Sequence, residues 1–151
     1  MKSEILTIRN KVVATKTTLT IGDVVAVKPT VAVGGDYSDV DDPQNIAAAS
    51  PIQIAVYTGG VDCVADGQGP ASVGGVCKAS VGEAVTAGDL LQVSLVADVF
   101  ELIQWNGAGA TTIGAGEAEA WANVGRGVAL ETIAAPGLCS VRIMNNPAVA
   151  G

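Results

Sequence analysis

Histidine is absent from this 151-residue chain. Histidine is the side chain whose ordinary pKa lies nearest neutrality, so its absence removes Ser-His-Asp and Cys-His catalytic arrangements. Three cysteines without CxxC spacing, and no histidine to join them, also disfavour a zinc site. Aromatic residues make up 3% of the sequence, namely Tyr37, Tyr57, Phe100, Trp105 and Trp121, so core volume has to come from Val, Ile, Leu and Ala. Bases are scarce, 8 against 15 acids, and the formal charge of −7 opposes the phosphate contacts that dominate nucleic-acid binding. No apolar run approaches the ~18 residues of a membrane span, and no basic-then-apolar leader is present. Neither membrane insertion nor secretion is expected, and assembly in a reducing cytoplasm fits. Cys63 and Cys77 are spaced to pair across a hairpin; the alternative is that all three cysteines are buried small hydrophobes.

What is present points to β-structure. Hydrophobic residues make up 49% of the chain, and 19 glycines with 6 prolines supply turns. The phrase Thr20-Ile-Gly-Asp-Val-Val-Ala-Val27 returns as Thr86-Ala-Gly-Asp-Leu-Leu-Gln-Val93. In both, turn chemistry runs into an apolar strand. Strands are expected at residues 4–8, 11–14, 24–33, 52–57, 61–65, 76–79, 89–95, 99–105, 127–132 and 138–144. Pro29 cannot donate to a ladder, so the strand over 24–33 should lie at an edge or carry a bulge there. The dipeptides Gly59-Gly60, Asp66-Gly67 and Gly74-Gly75 read as turns, Asp66-Gly67 being of hairpin type. Residues 34–42 read as an acidic loop. Asp42-Pro43 can cap one short helix ending before Pro51, and residues 115–123 suit a strand or extended loop. The tail after Met144 has no periodicity.

Charge is unevenly spread. Residues 1–28 carry five bases (Lys2, Arg9, Lys11, Lys16, Lys28) against two acids, while the remainder holds three bases and 13 acids. A basic leading segment on an acidic body suits an arm that reaches for an acidic partner, or an edge strand blunted by lysines. Three other features have bland readings. Asp39, Asp41 and Asp42 resemble a calcium loop, but an EF-hand needs glycine where Gln44 stands, which leaves a solvated acidic loop. The Gly/Ala/Thr stretch over 107–116 lacks the Gly-Lys-Ser/Thr of a phosphate cradle. Trp105 and Trp121 can serve as packing anchors in the core or at an oligomer interface, or as a sugar-stacking platform.

The stretch Gly82-Glu-Ala-Val-Thr-Ala-Gly-Asp-Leu-Leu-Gln-Val93, followed by Gly127-Val-Ala-Leu-Glu-Thr-Ile-Ala-Ala-Pro-Gly-Leu-Cys-Ser-Val-Arg-Ile143, resembles the capsid decoration, or cement, proteins of tailed bacteriophages. The likeness spans about residues 52–144 and departs from the family over the first fifty residues and the long connection 96–124. It implies an all-β fold, a small β-barrel or β-tulip-like domain with an extended N-terminal arm and at most one short helix. Residues 1–50 would be the arm and first strands, free or integrated with the body. Residues 51–151 would be the cement-like domain with an extended tail. It further implies a non-enzymatic virion protein without cofactor or metal that binds the outside of the head and stabilises the shell across subunit seams. Its partner would be the major capsid protein, its state a homotrimer, with no nucleic-acid or membrane partner. Lys2, Arg9, Lys11 and Lys16 would meet the capsid. The alternatives are a carbohydrate-binding surface module built on Trp105 and Trp121, or another head or tail structural protein.

Overall fold

The computed structural model describes residues 4–10, 18–31, 38–43, 53–94, 99–105 and 125–144. Among them the fold is all-β, one mixed sheet of nine strands with no α-helix. The strands are β1 (Glu4–Arg9), β2 (Val24–Val31), β3 (Ser38–Asp41), β4 (Ile54–Tyr57), β5 (Gln68–Val81), β6 (Leu90–Val93), β7 (Leu102–Gln104), β8 (Gly125–Ala129) and β9 (Gly137–Ile143). The helix expected to start at Asp42 and the strand expected over 11–14 fall largely or wholly outside the described residues, as does the segment 115–123.

The pairings close into two rings of five strands. The first runs β1–β3–β2–β4–β5 and back to β1; the second runs β5–β7–β6–β8–β9 and back to β5. The 14-residue β5 belongs to both. Its first half lies against β1 as far as Glu4↔Gly74, and its second half against β9 from Gly75↔Ile143. The expectation of a turn at Gly74-Gly75 is therefore corrected: the pair lies within a strand, where the chain passes from one ring to the other. Gly75 has φ +77°, a conformation that costs glycine little and bends the strand.

Each ring is wired alike. The pair β2–β3 is antiparallel, as is β6–β7; β2–β4 is antiparallel, as is β6–β8; β1–β3 is parallel, as is β5–β7. The remaining pairs, β4–β5 and β1–β5 in one ring, β8–β9 and β5–β9 in the other, are all antiparallel. The repeated Thr-x-Gly-Asp phrase occupies the same place in each, just before β2 and just before β6. An isolated bridge precedes each turn, Leu19↔Cys63 in one and Val85↔Ile133 in the other. The fold is thus two like-connected units sharing one strand.

Two apolar clusters fill it. Ile8, Leu19, Val25, Val27, Val40, Ala55, Tyr57, Cys63, Ala71 and Phe100 form the core of the first ring. The second contains Ala79, Val81, Leu91, Val93, Leu102, Cys139, Val141 and Ile143, together with Val24, Ala26, Ile54 and Val56 from the first ring. Alternate residues of Val24–Val27 in β2 and of β4 thus face different cores, which is why both stretches are apolar throughout instead of alternating. Each fully buried Val or Ile contributes about 1.5–3 kcal/mol, so this shared wall fastens the rings together.

Other expectations are refined. The β2–β3 register shifts between Val27 and Val31, across Pro29, as its missing N–H requires. The acidic loop expected over 34–42 is corrected in part: Ser38–Asp41 is β3, held between β1 and β2. The described part of the leading segment is integrated with the body, since β1 closes the first ring and β2 is its central strand.

Candidate functional site

One end of the first ring gathers its loops. Asn10 donates its backbone N–H to Gly67 O at 2.8 Å, accepts from Asp66 N at 2.8 Å, and sends Nδ2 to Cys63 O at 2.9 Å. Leu19 and Cys63 exchange both backbone hydrogen bonds, and Gly22 N–H donates to Tyr57 O at 2.8 Å. The Tyr57 hydroxyl donates to Val61 O at 2.6 Å. These bonds hold the 58–67 loop against the Thr20–Asp23 turn. Of the strand expected over 61–65, only Cys63 is bridged.

The outer surface of this end is apolar. Ile21 is 50% exposed, Val61 80% and Val64 60%; Ile21 and Val61 flank the Leu19–Cys63 bridge. Leu138, also exposed, packs against Gly22. Asp62 and Asp66 are exposed beside the valines. Asp66 adopts φ +59° at the Asp66-Gly67 turn that the sequence indicates. A second exposed face runs over β5, β8 and β9, with Val76 opposite Arg142 and the Lys78–Glu131 ion pair at 2.6 Å.

The residues singled out from sequence do not converge. Arg9 is on β1, where Nε and Nη2 both reach Asp39 Oδ1 at 3.0 Å, so its guanidinium fastens β1 to β3. Trp105 is 3% exposed, leaving no ring face for a sugar, and its backbone N–H donates to Leu90 O at 2.8 Å. Lys2, Lys11, Lys16 and Trp121 lie outside the described residues. The exposed Ile21, Val61 and Val64 were missed; the signal was two valines set between Gly59-Gly60 and Asp66-Gly67, read as a strand.

The chemistry of the described residues is quiet. Cys63, Cys77 and Cys139 are all free thiols. Burial pushes each of them up, Cys77 to about 11, which suppresses the reactive thiolate. Burial likewise raises the Tyr57 hydroxyl. The one strongly lowered acid is Glu131, held at about 2 by its hydrogen bonds from Lys78 and Ser140. Among the described residues no group of three or more metal-ligating side chains converges, and no helix is long and apolar enough to cross a membrane.

No protein-family model matches the chain, and no curated protein matches it in sequence. Among solved structures, the N base of head fiber gp8.5 in bacteriophage phi29 matches with a TM-score of 0.55 and 11% identity, covering 96% of this chain and 97% of that one. The chain is therefore similar in fold, over nearly its whole length, to the base domain of a phage head fiber.

Proposed function

We propose that this chain is a structural, non-enzymatic component of a phage head, seated on the outer surface of the shell as the base of an appendage. One observation carries the reading: the whole-length match in fold to the phi29 head fiber base, in which neither chain has a large unmatched remainder. The lack of histidine and the raised thiols fit a protein that works by shape and contact.

Within that role, the finer reading from sequence is a cement-like function, in which the chain bridges neighbouring subunits of the major capsid protein, as a homotrimer, in the virion. The phrases at 82–93 and 127–143 support it. Their strands, β6, β8 and β9, belong to one ring, so the two phrases fall together in the fold. Lys2, Arg9, Lys11 and Lys16 remain proposed capsid contacts, Arg9 while also paired with Asp39. The carbohydrate-binding alternative loses Trp105, which is buried.

Co-sedimentation of the purified chain with undecorated heads of the phage that encodes it tests the role. Saturable binding to the heads, with a fixed number of copies per particle, is the expected result. A chain that stays in the supernatant at every concentration overturns the proposal.

A further inference from the structure

The two rings offer an internal comparison. Because the Leu19↔Cys63 and Val85↔Ile133 bridges are equivalent, Ile21 corresponds to Ala87, Val61 to Glu131, Asp62 to Thr132 and Val64 to Ala134. The second ring closes the same turn with these residues. Thr86 N–H bonds Asp89 Oδ2 at 2.9 Å, Thr132 Oγ1 accepts from Ala87 N at 3.0 Å, and Glu131 pairs with Lys78. The backbone geometry thus has no need of large apolar side chains at these places. The first ring nevertheless exposes three of them together, with Leu138 alongside. Burying such a side chain against a partner is favourable, whereas leaving it in water contributes nothing to this fold.

From this difference we infer that the Ile21–Val61–Val64 end of the first ring is a docking knob that seats in an apolar socket rimmed by Arg or Lys on another protein. The charge selects the occupant. Asp62 and Asp66 stand beside the valines, and the chain as a whole carries −7. A second copy would bring like charge to the contact, which opposes association; a basic rim is attracted. Resting on the proposed function, the inference assigns the socket to the head surface and makes this end the one that faces the shell.

The test uses the full chain and undecorated heads of the encoding phage, with thermal melts to verify folding. Val61→Asp/Val64→Asp should weaken head binding about tenfold or more, as should each single substitution in part, whereas the single charge insertion Leu130→Asp in the second ring should leave binding unchanged. Val61→Thr/Val64→Thr keeps side-chain shape and guards against a misfolded double aspartate; it should weaken binding several-fold. Asp62→Asn/Asp66→Asn should also weaken binding and flatten its salt dependence. If the wild-type chain binds heads and both valine double variants bind equally well, the knob is overturned while the head role stands. If the valine variants lose only self-association of the chain, the occupant is a second copy and the inference is likewise overturned. If the wild-type chain does not bind, both the head role and the knob fall.

Discussion

Asp23 and Asp89 perform the same task in two places: Oδ2 of each accepts the backbone N–H of the threonine three residues earlier, Thr20 or Thr86, at 2.9 Å. Each aspartate's own N–H donates to that threonine's carbonyl, at 3.0 and 2.9 Å. The reciprocal pair locks a turn whose glycine, Gly22 or Gly88, has φ near +95°.

Replacing either aspartate with Ala should therefore cost about 1–2 kcal/mol, the usual range for a lost side-chain cap. Each substitution also releases a side-chain donor, Gln104 Nε2 at 3.2 Å from Asp89 Oδ2 and Thr20 Oγ1 at 3.4 Å from Asp23 Oδ2. Urea denaturation checks both; equal midpoints for wild type and variants would remove the turn from the stabilising set.

Gly22 and Gly88 should respond differently to Ala. Both pay for their left-handed backbone, about 1–2 kcal/mol in a non-glycine residue. At Gly88 a methyl group meets open space, while at Gly22 it collides with the Leu138 side chain and lies 3.3 Å from Ser80 N. Gly22→Ala should be the more destabilising. Leu138→Ala should recover part of that loss, a coupling that a double-mutant cycle reads directly.

Glu131 gives a pH signature. Its carboxyl lies at about 2 in the folded chain against an ordinary 4.5, so on acidification the unfolded chain takes up this proton first. The contribution to stability is complete above about 4.5 and vanishes as the pH falls through about 2. Glu131→Gln should remove that part of the acid dependence and leave stability near neutral pH less sensitive to salt than in the wild type. A carboxyl titration followed by NMR that places Glu131 at its ordinary value would contradict this.

Arg9→Ala should weaken the first ring more than it weakens head binding. Among the described residues the β1–β3 ladder has Ile8↔Ser38 and Arg9↔Asp39, and the part-buried guanidinium spans it. A loss of about 1 kcal/mol is expected, with faster hydrogen exchange along β1. Lysine should restore little, since two guanidinium nitrogens share one carboxylate oxygen.

The thiols should be slow to react. In native protein at pH 8, Cys63, Cys77 and Cys139 should resist alkylation and become fully reactive in denaturant, with mass spectrometry counting three free thiols. A disulfide-linked Cys63–Cys77 peptide would overturn the arrangement of free cysteines described above.

How far the fold could be read from the chain depended on the range of each interaction. The strand class, the Gly-Asp turns and the defect at Pro29 follow from local chemistry and are visible in residues a few positions apart. Gly74-Gly75 misled because a glycine pair marks a bend in either case, and only the pairings of Glu4 and Ile143, at opposite ends of the chain, distinguish a turn from a strand changing partners. The Ser38–Asp41 strand was hidden by its three polar residues; it forms because β1 and β2 flank it. The likeness of the two rings surfaced only at the turns, where backbone conformation demands Gly and Asp. Elsewhere, as at Val61 and Glu131, the two halves share geometry with different side chains. Of the candidate contacts, Arg9 was legible as a charge but not as a strand fastener, because its partner is thirty positions away.

The single strand Gln68–Val81 has one last consequence. Since its first half, up to Gly74, completes one ring and its second half, from Gly75, the other, a protease nick at its midpoint would cut the covalent tie between the rings without taking a strand from either, and the shared apolar wall would then hold them together.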